Sequence, residues 1–230
     1  ITITGADTYS AWAVREASGI SEGDKLLTFS KIRAASQIMA NLPYVKGVRI
    51  GIKLPDTVNI MIEEESVVYA IKSSDGQWWM MDSDGRVVEQ ANNAKAATAT
   101  QLLGVTLEAP AVNQKGIATE MTPSETNELG ELIPVTTTGA QRLTAALQIL
   151  KALENNDIVG EAASVDVTST EDIILWYGTR YQVNLGDTSR LDYKVDCMND
   201  AILQMSDYQS GVLDISFTIW PNQVGYTPFA

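Results

Sequence analysis

Hydrophobic and polar residues alternate from the first position of the chain. Ile1 and Ile3 flank Thr2 and precede Thr4, the period-two pattern of a half-buried strand. Gly5-Ala6-Asp7 is a turn signal. Ser10 is placed to cap a short helix carrying Trp12, Ala13, Val14 and Ala17, with Gly19 at its stop. Ser30 is placed to cap a second helix. Its Ile32, Ala35, Met39 and Leu42 recur at three- and four-residue spacing and predict one buried stripe, ended by Pro43. Val48, Ile50 and Ile52 then alternate with Arg49, Gly51 and Lys53. After a Pro55-Asp56 turn, Val58, Ile60 and Ile62 alternate with Asn59, Met61 and Glu63. The predicted order is strand, helix, helix, strand, strand, with both helices on one face of a small sheet.

The pattern then changes. Two Asp-Gly turns, at Asp75-Gly76 and Asp84-Gly85, bracket Gln77-Trp78-Trp79-Met80-Met81-Asp82 and predict a three-stranded meander over 66–90. Residues 91–136 are rich in Ala and Thr, punctuated by Pro110, Pro123 and Pro134, and read as loop and weak structure. Leu102-Leu103-Gly104-Val105 is expected to be a short buried piece. A helix between Thr138 and Glu154 carries Leu143, Ala146, Leu147, Leu150 and Leu153 on one side. Strand-like runs follow at 163–167, 173–177 and 181–185. A helix capped by Ser189 presents Leu191, Val195, Met198, Ile202 and Met205 on one face. Leu213, Ile215, Phe217 and Ile219 alternate with polar neighbours and predict one long strand over Val212–Trp220.

Charge narrows the partners. Sixteen Lys and Arg are scattered among 29 Asp and Glu, for a net charge of -13. Nucleic acid needs clustered cations and is not an expected partner. An anionic membrane would repel the chain on average. No apolar run is long enough to span a bilayer. Because Ile1–Thr4 reads as the middle of a strand, a preceding segment with targeting information is expected.

Chemistry is hard to assemble from these residues. Histidine is absent, which removes the commonest general base and metal ligand. Cys197 is the single cysteine, so no intramolecular disulfide and no thiolate zinc site is available. Glu63-Glu64-Glu65 could suggest a cation site, but neighbours on a strand point to opposite faces, and a solvated strand end is the expectation. Asp82-Ser83-Asp84-Gly85 lacks the later ligands of a calcium loop and reads as a turn. No catalytic, cofactor or metal residue is expected. Paired carboxylates with Trp78, Trp79, Trp176 and Tyr177 lining a sugar site remain an alternative, against the simpler reading that these aromatics pack a core or an interface. The last strand is the most informative feature. If it lies at a sheet edge, its unpaired backbone groups seek a partner strand, and Phe217, Ile219, Trp220, Tyr226 and Phe229 offer aromatic and apolar anchors.

The stretch ITITGADTYSAWAVREASGISEGDKLLTF, followed by LPYVKGVRIGIKLPDTVNIMIEEESVVYAI, resembles a POTRA domain of the FtsQ/DivIB type. Leu42-Pro43-Tyr44-Val45 and Leu54-Pro55-Asp56-Thr57-Val58 are its marks. The meander GQWWMMDSDGRVVE, Gly186 after Val183-Asn184-Leu185, Gly211-Val212-Leu213-Asp214-Ile215-Ser216 and Tyr226-Thr227-Pro228-Phe229 resemble later parts of the same family. The sequence departs from the family in its long Ala/Thr-rich stretch and in Ala6-Asp7, where an Asn is common.

The resemblance implies an α+β fold: a βααββ POTRA domain over 1–65, then a mixed β-sheet domain with two packed helices over 66–230, with a less regular insertion at about 91–136. It implies a non-catalytic division scaffold with no cofactor. The protein would be single-pass in the cell membrane, its transmembrane helix preceding Ile1 and this region extracytoplasmic. It would bind FtsB/DivIC-like and FtsL-like division proteins. The partner strand would add along Asp214–Trp220, with Asp214, Ser216, Phe217, Ile219, Trp220 and Tyr226 as contacts. The alternative is a cell-surface, carboxylate-dependent glycan hydrolase.

Overall fold

The computed structural model describes residues 1–26, 28–65, 67–120, 137–218 and 222–229. The chain divides into two compact units, Ile1–Val67 and Val68–Ala230.

The first unit runs β1 (Thr2–Thr4), α1 (Ala11–Ser18), α2 (Lys31–Asn41), β2 (Val45–Lys53) and β3 (Thr57–Glu64). The expected βααββ order is what forms. The strands lie in the order β1-β3-β2, with β1 parallel and β2 antiparallel to β3. Both expected caps are present: the Ser10 hydroxyl accepts from the Ala13 amide and the Ser30 hydroxyl from the Arg33 amide. The helices cover one sheet face through Val14, Ala34 and Ile38, which meet Val58, Ile60 and Ile62. Each such Ile or Val, fully buried, contributes about 1.5–3 kcal/mol. The α2 stripe differs from the expected one. Ala34 and Ile38 are buried, with Leu42 just beyond them, whereas Ile32 is 81% and Met39 40% exposed. Two apolar stripes are offset around this helix, and docking of the sheet selects the one at 34 and 38.

The Glu63–Glu65 run is not a solvated end either. The Glu64 carboxylate accepts the backbone N–H groups of Asp7, Thr8 and Tyr9 at 3.1, 2.6 and 3.2 Å. Burial works to raise its pKa, but these amide bonds outweigh that and hold it below the ordinary value. Glu65 is 8% exposed and pairs with Lys46 at 3.0 Å.

The second unit contains β4 (Tyr69–Ser73), β5 (Trp78–Met81), β6 (Val87–Ala91), α3 (Asn93–Ala96), β7 (Gln101–Leu107), α4 (Gly139–Asn155), β8 (Ala162–Asp166), β9 (Ile173–Tyr177), β10 (Tyr181–Gly186), α5 (Leu191–Leu203), β11 (Gly211–Asp214) and β12 (Gly225–Pro228). Among the described residues its nine strands form one mixed sheet in the order β12-β11-β10-β9-β8-β7-β4-β5-β6. The β4–β6 meander turns at both Asp-Gly pairs, as the sequence predicts. The Thr138 capping box starts α4. Tyr69 and Ser83 each donate to the Glu154 carboxylate at 2.7 Å, and Lys151 pairs with Asp84 at 2.8 Å, so α4 is tied to the meander.

Two of the expectations that fail in this unit concern residues 91–136 and Ser189. Within the stretch read as loop, the short buried piece expected at 102–105 is part of a full strand, β7, which pairs in parallel with both β4 and β8 near the middle of the sheet. Gly104 breaks its alternation. This residue has φ +78°, and a Cβ there would fall 2.3 Å from the Thr168 amide nitrogen. The remainder of the expected insertion, 121–136, lies outside the described residues. Second, Ser189 does not cap α5. Its hydroxyl donates to Asp187 Oδ1 at 2.6 Å, and Arg190, left-handed at φ 52°, occupies the cap position.

Candidate functional site

The end of the sheet formed by β10, β11 and β12 is built around a buried lysine. Lys194 on α5 is fully buried, and its Nζ donates at 2.8 Å to the carbonyls of Leu185 and Asp187 and to Asp187 Oδ1. The Lys194 hydrogen bond, then that of Ser189, pulls the Asp187 pKa down from 3.8 to about 2. These bonds fix the exit of β10 against the start of α5. Gly186, at φ +65°, lets the chain pass close to 215–216: a Cβ there would lie 2.8 Å from the Ser216 Cβ.

The long strand expected over Val212–Trp220 does not form, and the expected edge is elsewhere. β11 stops at Asp214, whose Oδ1 accepts the Ser216 amide at 3.0 Å and the Ser216 hydroxyl at 2.7 Å. This Asx turn competes with the ladder and ends it. Ile215 still donates to the Asn184 carbonyl at 2.9 Å, but Phe217 is left-handed at φ 58°. β11 is flanked by β10 on one side and β12 on the other, so its backbone is not an edge. β12 is the terminal strand of the sheet.

The register of β12 decides what its open side offers. Phe229 donates to the Ser210 carbonyl at 3.1 Å, and Thr227 and Gly225 oppose Val212 and Asp214. Alternation in an antiparallel pair therefore turns the amide groups of Thr227 and Gly225 toward β11. The N–H and C=O of Tyr226 and the C=O of Pro228 face outward. The Tyr226 hydroxyl donates back to the Ser210 carbonyl at 3.1 Å and holds the strand down.

The expected contact residues are thus divided. Asp214 and Ser216 form the turn, and Phe217 is 9% exposed, packed 5.7 Å from the Tyr193 ring with Arg190 5.2 Å above its own. Arg190 also donates to Asn222 at 3.0 Å. Tyr226 lies on the open strand. Ile219 and Trp220 lie outside the described residues. Sequence reasoning missed β12 as an element, since four residues containing Gly and Pro carry little strand pattern. The Pro221-Asn222 turn signal ahead of them was the available clue. It also missed the pairing of Phe229 with Trp176, stacked at 6.2 Å. The tryptophans proposed for a sugar site do not converge. Trp78 and Trp79 are on β5 and Trp176 is on β9, with β8, β7 and β4 between them. Four strand spacings amount to roughly 19 Å.

Comparison with known proteins agrees with this architecture. The sequence model described as "POTRA domain, FtsQ-type" matches residues 1–65. Cell division protein FtsQ of Corynebacterium glutamicum is 34% identical over 88 residues, 38% of this chain and 39% of that protein. Cell division protein DivIB of Clostridium acetobutylicum is 28% identical over 107 residues, 46% of this chain and 42% of that protein. Residues 1–65 thus match an FtsQ-type POTRA domain, and the chain is similar over part of its length to cell-division proteins named FtsQ and DivIB. DivIB of Staphylococcus aureus is a more distant relative, 26% identical over 95 residues, 41% of this chain and 21% of that protein. The chain spans about two fifths of the length of the first two relatives it matches. Among the described residues, no helix is long and apolar enough to cross a membrane.

Proposed function

We propose that this chain is a member of the FtsQ/DivIB family and a non-catalytic scaffold of the division machinery. It acts outside the cytoplasmic membrane, held by a transmembrane segment ahead of Ile1. FtsB/DivIC-like and FtsL-like proteins are its partners, and the first of these adds a strand to the sheet. The observation that carries the reading is the open side of β12, where Tyr226 presents an N–H and a C=O with no strand beyond them among the described residues. Strand addition draws affinity from such backbone groups and selectivity from alternate side chains. Tyr226, Thr227 and Phe229 supply those side chains, and Asp214, Ser216 and Phe217 form and follow the turn that ends the neighbouring strand. Ile219 and Trp220, outside the described residues, stay among the proposed contacts.

Calorimetric titration with the extracytoplasmic segment of the FtsB/DivIC-like protein of the same genome tests this. Tyr226→Pro removes an outward donor, and with it the ring and its hydroxyl bond to Ser210, while leaving the Thr227 and Gly225 bonds to β11, because proline is tolerated where the N–H of an edge strand faces solvent. Tyr226→Ala, which loses the same ring and hydroxyl but keeps the N–H, is the control. The parent is expected to bind, and a folded Tyr226→Pro variant to bind at least about tenfold more weakly, since one or two hydrogen bonds are lost. Unchanged affinity in the folded variant rules out addition at β12.

A further inference from the structure

One end of the first unit departs from the charge character of the chain. β1 runs parallel to β3 with Thr2 opposite Asn59, so Ile1 lies beside Val58. The β2–β3 hairpin turns at this end, with Lys53 opposite Thr57. Ile1, Ile20, Leu26, Phe29, Asp56 and Val58 line one small cavity there, and α2 starts two residues after Phe29. The same end therefore gathers Lys25, Lys31, Arg33 and Lys53, all exposed and none in an ion pair among the described residues. Of its acidic groups Glu22 pairs with Arg15, while Asp24 and Asp56 keep their charge and accept from the Ser21 amide and the Thr57 hydroxyl, so the four cations outnumber the remaining carboxylates. Two large apolar side chains stand among the cations, Leu54 at 72% and Ile32 at 81% exposed.

This arrangement works against the local stability of the unit. Lys31 and Arg33 occupy the first turn of α2, where no acidic residue is present and where positive charge opposes the helix dipole. Ile32 between them is given to water although the helix has a buried face one turn away. Local rules broken together, without a compensating contact, mark a surface kept for something outside the domain.

We propose that this tip docks on an anionic phospholipid surface, with Leu54 and Ile32 entering the headgroup layer and Lys25, Lys31, Arg33 and Lys53 facing lipid phosphates. Apolar side chains ringed by cations are what an interfacial site requires. Charge complementarity selects this surface, because the chain as a whole carries -13 and its other faces are repelled by it. The inference rests on the reading that a membrane segment precedes Ile1, which brings this end to the bilayer.

The test holds the chain on vesicles through a decahistidine tag ahead of Ile1 and a nickel-chelating lipid. Cys197→Ala removes the native thiol, and a polarity-sensitive fluorophore is placed on Leu54→Cys. Emission is expected to shift to the blue on vesicles rich in phosphatidylglycerol and not on neutral vesicles. Lys31→Glu with Lys53→Glu should lower the docked fraction more than about tenfold, as each cation near such a surface is worth roughly fivefold. Lys72→Glu with Lys115→Glu, the same charge change in the second unit, should leave it intact. No shift on phosphatidylglycerol, an equal shift on neutral vesicles, or equal loss in both double variants overturns the proposal. So does a shift that appears only when the division-protein segment is added, which would assign the tip to a protein. The calorimetric titration is free of lipid, so failure of partner binding and failure of lipid docking are separate results.

Discussion

Lys194 has no solvent exposure and yet carries a charge that three oxygens share. Two of those oxygens are main-chain carbonyls, so a hydrocarbon of similar size would leave them unpaired. Lys194→Met is expected to cost about 2 kcal/mol, measurable by denaturant unfolding. The charge on Asp187 contributes less, because its side chain is 58% exposed and solvent screens the pair. Its pKa is depressed in the folded state, from 3.8 to about 2, so its contribution is full above about pH 4. That contribution is lost as pH falls through 3.8 toward 2. Asp187→Asn should therefore destabilise by no more than about 1 kcal/mol at neutral pH, with the difference shrinking below about pH 4 and gone only below the folded pKa of about 2. A difference that grows on acidification would contradict this assignment.

At the scale of elements, what the sequence made legible is what local pattern determines. Ser10, Ser30 and Thr138 cap the helices expected of them, and the Asp-Gly pairs turn the meander, because a side chain and its own backbone settle those choices. The α2 stripe was misread because two stripes were available and only packing against β2 and β3 chooses between them. The long terminal strand was misread because Asp214 and Ser216 can close a turn as readily as they fit a strand. That error moved the candidate edge from 214–220 to β12, leaving Tyr226 as the expected contact that stands on the described open strand. Of β7 only the buried piece at 102–105 was legible, because Gly104 interrupts the apolar alternation and belongs to the bulged pairing with β4. Its role gives an element-scale prediction. Gly104→Ala places a methyl group 2.3–2.6 Å from backbone and side-chain atoms of Thr168 in a left-handed conformation. The expected loss is about 3 kcal/mol or more, combining backbone strain with overpacking, and denaturant unfolding reads it directly. A Gly104→Ala chain of parental stability would mean that β7 does not run this close to the 168 loop.

Across the whole molecule, charge and cores divide at the same place. Residues 1–67 hold seven Lys and Arg against eight Asp and Glu, whereas 68–230 hold nine against 21. Each unit also closes its own sheet over its own buried residues, the first around Ile38 and Ile60, the second around residues such as Leu150, Val165 and Leu175. Units with separate cores unfold as separate cooperative steps unless something couples them. Two substitutions mark the steps. Glu64→Ala leaves the amides of Asp7, Thr8 and Tyr9 without their carboxylate and should cost the first unit about 2 kcal/mol. Gly104→Ala burdens the second unit alone. In scanning calorimetry each is expected to lower one transition and leave the other in place. If both variants shift a single common transition, the two units are coupled in stability. Strain at Gly104 in the second unit would then reach the first, and a ligand bound at β12 would stabilise both units together by mass action.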